Sequence, residues 1–259
     1  METGHILVAG SALTSGGVNT KSTFILYQNA MAGATVTSGG DVGRLCDWMT
    51  NVFYTASAGT TNIDLTIAEQ GVNCVGLAGV NWLSGGVSAK FYTWNGSSYV
   101  LQCDLNGSDD GQPVMRVFQT VYTNKVRIQF TSTAALYVGE AAFGLALQMP
   151  SLPAVGLQPA EWSDEDDVTV SQTEGLNFGA STYQRKGSEQ VMQFNYITPD
   201  FMDGQFKQFR KTAKGRPVWC GWNQTDRLSS VIFGYWSASK PKFDSTYFTS
   251  VQLTIKGVV

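Results

Sequence analysis

The sequence predicts an all-β protein, with an N-terminal β-sandwich of jelly-roll type followed by a C-terminal β-sandwich flanked by one α-helix. Three observations lead to this fold class. The chain of 259 residues contains 28 glycines, and 12% of its residues are aromatic, which is typical of short strands joined by tight turns. Short stretches of alternating apolar and polar residues recur along the chain. One segment has the 3.6-residue periodicity of an amphipathic helix.

The length of the chain indicates two domains, because a domain usually contains about 100–200 residues. Pro150, Pro153 and Pro159 stand close together, and proline cannot donate a hydrogen bond to a central strand ladder. We therefore predict a jelly roll over residues 1–149, a proline-rich and acidic linker over 150–167, and a second β domain over 168–259.

The strands of the first domain are expected mainly after residue 60, with long loops around one or two strands before it. In NIDLTIAE, the apolar residues Ile63, Leu65 and Ile67 alternate with polar ones, which predicts a half-buried strand. The other candidate strands are TFILYQN, NCVGLAGVNW, AKFYTWNG, YVLQCDL, VRIQF and FGLALQM. Glycine-rich turns separate them, as in a sandwich or jelly roll.

The second domain is predicted to combine longer, more apolar strands with a helix near residues 199–214. Met202, Phe206, Phe209 and Ala213 recur on one face of that helix. Residues suited to its two ends are Thr198, Pro199 and Gly215. The candidate strands are VTVSQTE, VMQFNYI, RPVWCGWN, SVIFGYW and YFTSVQLTIKG.

Charge is distributed unevenly along the chain, although the net charge is only −3. Residues 168–259 carry 11 basic and 6 acidic side chains, a balance of +5, whereas the preceding linker is acidic. Such asymmetry indicates complementary contacts within or between subunits. The predicted subunit-contact residues are Lys207, Arg210, Lys211 and Lys214 on the helix, and Asp164, Glu165, Asp166 and Asp167 in the linker.

The sequence contains few of the residues and motifs that catalysis usually requires. The single histidine, His5, lies near one end, and the motifs of serine hydrolases, zinc proteases and phosphate-binding loops are absent. We therefore predict no enzyme, no catalytic residue and no cofactor. A glycoside hydrolase is the weakest alternative, and it would have to use turn carboxylates such as Asp104, Asp109 and Asp110.

Metal binding and membrane insertion are not predicted either. Cys46, Cys74, Cys103 and Cys220 have no metal-type spacing and are interpreted as buried free thiols. A structural Ca²⁺ in the loop NGSDDG is the main alternative to solvated turn acids. The opening METGHILVAG lacks the features of a signal peptide, and no apolar stretch is long enough to span a bilayer. We expect a soluble chain made in the cytosol.

Sugar binding is a second candidate activity, since aromatic and amide side chains at the end of a β-sandwich can pack on sugar rings and bind hydroxyl groups. The possible glycan-binding residues are Trp48, Asn51, Asn81, Trp82 and Trp94. A tryptophan in a strand more often belongs to the core, and that interpretation stays open. Nucleic-acid binding is not predicted, because the phenylalanines of the basic helix lie on its opposite face.

Residues 40–147 resemble the discoidin-like, galactose-binding jelly roll. The resemblance rests on Leu45 and Asp47, on the strand Ile63–Leu65, on Val72–Asn81 and on Phe91–Ser98. It implies a β-sandwich jelly roll with possible sugar binding.

The second half resembles the C-terminal part of bacteriophage minor tail proteins. Phe206 and Phe209 stand on the helix, a Gly-Arg-Pro strand with aromatic residues follows at Gly215–Trp219, and the last strand is Val251–Gly257. This resemblance implies a tail-tube or distal-tail fold, a homo-oligomer (trimer or hexamer), other virion proteins as partners and a location in the virion.

We therefore expect a structural component of a phage virion, at the tail, baseplate or connector. Its C-terminal domain would form the oligomer, and its jelly roll would decorate the particle or contact neighbouring proteins. The alternative is a carbohydrate-binding module that recognises a host surface glycan.

Overall fold

The computed structural model of the protein describes residues 21–154, 157–162, 164–172, 178–243 and 248–257. Sixteen strands, all paired antiparallel, form three sheets within these ranges. In chain order the strands are β1 (Thr23–Leu26), β2 (Thr35–Ser38), β3 (Tyr54–Ala56), β4 (Gly59–Ala78), β5 (Ser88–Trp94), β6 (Tyr99–Leu105), β7 (Val114–Ser132), β8 (Leu136–Val138), β9 (Glu140–Gly144), β10 (Ala146–Gln148), β11 (Asp164–Gln172), β12 (Phe178–Ile197), β13 (Pro217–Trp222), β14 (Val231–Ala238), β15 (Lys242–Phe243) and β16 (Thr249–Gly257). The all-β prediction is confirmed. His5 lies outside the described residues.

The jelly roll is built on two long neighbouring strands, β4 and β7. The sheet runs in the order β2-β4-β7-β5-β6, with β9 also paired to β4, and β3 pairs with β8. The register of β4 against β7 shifts after Thr66 and again after Val72, and such irregularities bend a strand. Ile63 and Leu65 are fully buried, so the alternation in β4 predicted its core face correctly.

The second sheet contains eight strands, in the order β10-β1-β13-β14-β16-β12-β11, with β15 against β16. Its strand β1 comes from the start of the described chain and pairs with β13, where Ile25 lies opposite Cys220. Strand β10 pairs with the other edge of β1. Strands β1 and β10 therefore belong to the second sheet, although both lie within residues 1–149, which the sequence predicts to form the jelly roll.

The acidic end of the predicted linker over 150–167 forms a strand in the structure, so the prediction is wrong there. Asp164–Asp167 begin strand β11, which pairs with β12. Charged residues disfavour a central strand, which is why the sequence indicated a linker, but β11 closes one edge of the sheet and edge strands tolerate charge. The rest of this range contains a short 3₁₀ helix at Ala160–Trp162. Two further 3₁₀ helices occupy Ala30–Gly33 and Gly43–Leu45.

The predicted helix is present and follows Thr198. It consists of an α-helical turn at Pro199–Phe201, a π-helical segment at Met202–Phe206 and an α-helical end at Lys207–Thr212. All four members of its apolar stripe are buried against the second sheet: Met202, Phe206, Phe209 and Ala213. Gly215 follows at φ 71°, a left-handed conformation that glycine adopts without strain.

The second sheet is buried on both faces, which makes the molecule layered. Ile25 and Cys220 face the helix. Their strand neighbours Phe24 and Trp219 face the jelly roll, where they share one apolar cluster with Cys74 of β4 and with other buried residues. Trp219 lies against Gly76 of β4, where a Cβ would come within 2.8 Å of the indole. The jelly roll and the second sheet are thus packed together through a continuous apolar layer.

Candidate functional site

A cleft of about 950 Å³ opens where the loops at one end of the jelly roll meet the second sheet. Asn51 and Phe53 line it from the segment before β3, and Gln112 lines it from the loop before β7. Ser229 and Phe233 belong to its second-sheet side. Its volume lies in the range usual for small-molecule sites.

Two exposed aromatic rings stand at this cleft. Phe53 and Tyr137 meet edge to face, with ring centroids 6.0 Å apart, and both line the cavity. Their exposed fractions are 43% and 42%. In β8, Leu136 and Val138 are buried on either side of Tyr137, so the alternation of the strand turns Tyr137 outward.

The side-chain amide of Asn81 is hydrogen-bonded to the backbone around Tyr137 and so holds that residue in place. Its Nδ2 donates to the Ala135 carbonyl at 2.8 Å, and its Oδ1 accepts from the Tyr137 amide at 2.8 Å. Both ends of the side chain therefore bind the backbone of β8 and of Ala135 just before it. Asn81 is a positioning residue for the cleft.

Trp82 holds the loop that carries Asp109 and Asp110. Its side chain is buried, and its indole N–H donates to the Gln112 carbonyl at 2.9 Å. Gly107 lies so close that a Cβ there would come within 2.4 Å of the ring. A bulkier residue at this position would push the loop away from Trp82.

Asp110 connects the same loop to the loop between β4 and β5. Its Oδ1 accepts from the amides of Leu83, at 2.7 Å, and Ser84, at 3.1 Å. Hydrogen bonds from Ser84 and from the Leu83 amide lower the pKa of Asp110 below its ordinary value, because they stabilise the carboxylate form. Asp110 is therefore charged at neutral pH.

The segment that leads to Asn51 is held by a buried carboxyl group. Glu140, the first residue of β9, is fully buried, and its Oε2 accepts from the Trp48 amide at 2.9 Å. Burial raises the pKa of Glu140 to about 9, against the opposing effect of the Trp48 amide. Trp48 has a φ of 67°, so this contact secures a left-handed turn that a tryptophan rarely adopts.

Of the predicted glycan-binding residues, the structure brings Asn51 and Asn81 to the cleft and leaves the tryptophans outside its lining. Trp82 lies beneath a cleft loop, and the partly buried Trp48 packs against the apolar layer between the sheets. Trp94 is the last residue of β5 and does not line the cleft. The sequence reasoning missed Phe53 and Tyr137, although the pattern of LYV in β8 would have marked Tyr137 as outward-facing.

Trp94 belongs instead to a polar and aromatic patch on the outer face of the jelly-roll sheet. It meets Tyr99 edge to face at 5.2 Å, and Lys125 lies over its ring. Nearby, Arg127 makes a bidentate contact with Asp64, at 2.6 and 2.8 Å, and covers the Tyr99 ring. The Arg127 guanidinium holds the pKa of Asp64 below its usual value. Lys125 and Arg127 thus cover the faces of the Trp94 and Tyr99 rings.

The four basic helix residues predicted as subunit contacts are exposed: Lys207, Arg210, Lys211 and Lys214. The side chains of their predicted acidic partners, Asp164 to Asp167, lie outside the described part of the structure. The subunit contact stays a prediction.

All four cysteines are free thiols, with Cys74 and Cys220 buried and Cys46 and Cys103 partly buried. Burial raises the pKa of Cys103 to about 12, which disfavours the nucleophilic thiolate. Among the described residues, no three acidic, cysteine or histidine side chains are grouped as a metal ion would require. No helix in the described ranges has the length and apolar character needed to cross a membrane.

Neither protein-family models nor curated proteins match this chain. Solved structures do match its jelly roll. The family 32 carbohydrate-binding module from Streptococcus pneumoniae is 10% identical, covers 45% of this chain and 99% of its own, and gives a TM-score of 0.38. The CBM32-6 module of Clostridium perfringens is 14% identical, with 45% and 98% covered and a TM-score of 0.37.

A fucosidase from Ruminococcus gnavus also matches, at 12% identity and a TM-score of 0.37. The match covers 46% of this chain and 27% of the fucosidase. The virion assignment stays a prediction.

Proposed function

We propose that this protein is a non-catalytic carbohydrate-binding protein and that the cleft beside Phe53 and Tyr137 receives the glycan. The single observation that carries the proposal is this exposed aromatic pair at the mouth of a 950 Å³ cleft. A pyranose ring has an apolar face of C–H groups and an edge of hydroxyl groups. It therefore needs an aromatic surface with polar groups beside it.

The polar groups that a sugar requires stand around the two rings. Asn51 supplies an exposed side-chain amide, and Asp109 and Ser229 add oxygen atoms that can accept hydrogen bonds from hydroxyl groups. Behind them, the buried Val231 and Phe233 give the second-sheet side an apolar surface. Both halves of the molecule thus contribute to one binding site.

The surrounding residues hold this site in a defined shape before any ligand binds. Asn81 fixes the strand of Tyr137, Trp82 fixes the loop of Asp109, and Glu140 fixes the turn that leads to Asn51. A site that is already ordered loses less conformational entropy when it binds. This arrangement suits recognition.

A glycan array with the intact protein tests the proposal, followed by calorimetric titration of the best ligand. Tyr137→Ala should weaken binding about twofold to tenfold, because one ring contact contributes roughly 0.5–1.5 kcal/mol. Trp94→Ala is the matched control: it removes an aromatic ring outside the cleft and should leave affinity unchanged. An array without any ligand would overturn the proposal, and so would equal loss of affinity in both variants.

A further inference from the structure

The charges around the cleft carry a second inference, which rests on the proposed function. Among the residues that the structure describes, the ionisable side chains that line the cleft are Asp109, Asp110 and Tyr137, and no lysine, arginine or histidine lines it. Asp109 accepts from the Ser108 hydroxyl at 3.0 Å, and Asp110 accepts from two backbone amides. Each carboxylate keeps lone pairs that these neutral donors leave available.

The negative charge of this loop is not cancelled by an ion pair in the described part of the structure. Salt bridges are formed elsewhere, for example between Arg127 and Asp64 and between Lys256 and Glu189. Arg116 reaches the Asn106 carbonyl at the base of the loop, but it does not line the cleft. Arg44 lines a separate groove, which shares Asn51 and Phe53 with the cleft.

We propose that the cleft selects glycans that carry a free, protonated amino group, with Asp109 and Asp110 as its specificity-determining residues. An ammonium group gains from both carboxylates, whereas an N-acetyl group is neutral and a sugar carboxylate is repelled. The geometry of Asp110 supports this role, because Asp110 lines the cleft and the amides of Leu83 and Ser84 hold its carboxylate in one position before a ligand arrives. A preformed charge attracts a cation without first paying for ordering.

The test compares three oligosaccharides of equal length by calorimetric titration of the full chain. These are a glucosamine tetramer, its fully N-acetylated counterpart and a galacturonic acid tetramer. At about pH 5.5 the amino groups are protonated, and Asp110, whose pKa its hydrogen bonds lower, is ionised. We expect the amino tetramer to bind threefold to tenfold more tightly than the N-acetylated one, roughly the effect of one or two exposed ion pairs, and the acidic tetramer to bind most weakly.

The double variant D109N/D110N removes the charge but keeps amide oxygens that can accept the loop hydrogen bonds. It should bind the amino and N-acetylated tetramers equally. Arg44→Gln, a control in the neighbouring groove, should keep the preference. Equal affinities in the wild type, or a preference that survives in D109N/D110N, would overturn the charge selection.

Failure of this inference differs from failure of the proposed function. If a glycan binds and Tyr137→Ala weakens it, but the three tetramers do not differ as stated, the site binds sugar and the charge selection is wrong. If no tetramer binds and the glycan array also gives no ligand, the proposed function is wrong and the inference fails with it.

Discussion

Glu140→Gln should make the protein more stable at neutral pH, although the residue is fully buried. The wild-type carboxyl group accepts from the Trp48 amide through Oε2, while Oε1 has no hydrogen-bond partner. Burial raises its pKa from 4.5 to about 9. The folded protein therefore keeps a proton on Glu140 across a pH range in which the unfolded chain has released it.

This difference sets the direction of the pH dependence. The stability associated with protonated Glu140 is fully present below pH 4.5 and is lost as the pH rises towards 9. Between these values each pH unit costs about 1.4 kcal/mol of unfolding free energy. Glutamine does not titrate and can still accept from the Trp48 amide. At pH 7 the variant should exceed the wild type by about 3 kcal/mol, and near pH 4 the two should be equal.

Urea unfolding of both proteins between pH 4 and pH 9, followed by circular dichroism, measures this difference. Glu69→Gln is the matched control, because Glu69 is exposed in the jelly-roll strand β4. The unfolding free energy of this variant should equal that of the wild type at every pH. A stability difference between Glu140→Gln and the wild type that stays constant from pH 4 to pH 9 would refute the reasoning. The Asp47 carboxylate, which also raises the Glu140 pKa, is unchanged in both variants.

Two further predictions concern the packing of the layers and the cleft loop. Trp219→Ala should lower the unfolding free energy by about 3–5 kcal/mol, since it empties a buried site between Phe233 and Gly76; a loss below about 1 kcal/mol in urea unfolding would contradict the layered packing. Trp82→Phe keeps an aromatic ring but removes the hydrogen bond to the Gln112 carbonyl. It should cost about 1 kcal/mol of stability and weaken glycan affinity severalfold; unchanged affinity in titration would show that this loop does not shape the site.

Much of the secondary structure was predictable from local sequence patterns. Period-two alternation identified the core face of β4 through Ile63 and Leu65, and the stripe with Phe206 and Phe209 identified the helix face that packs on the second sheet. These patterns are readable because each side chain's direction follows from the backbone period of its own element. The acids at Asp164–Asp167 misled the prediction, since charge does not tell an edge strand from a linker.

The candidate site was less predictable than the fold. Asn51 and Asn81 were identified by residue type, and the structure brings both to the cleft, but Asn81 works by holding β8. The tryptophans were predicted as glycan-binding residues because of their aromatic rings, yet Trp82 is buried beneath a loop and supports it. A residue that binds a ligand and one that positions its neighbour can have the same chemistry, so residue type alone does not separate them.

The sequence by itself determined the fold class, most strands, the helix and the face that each presents to the core, because these depend on neighbours a few residues apart. Only the tertiary structure decided that β1 joins β13 and that Trp219 faces the jelly roll. It also decided that Phe53 and Tyr137 meet at one cleft. Apolar patterning shows that a face must be buried but not what will cover it, since the hydrophobic effect is non-directional. Contacts between distant segments therefore become known only when the whole chain is packed.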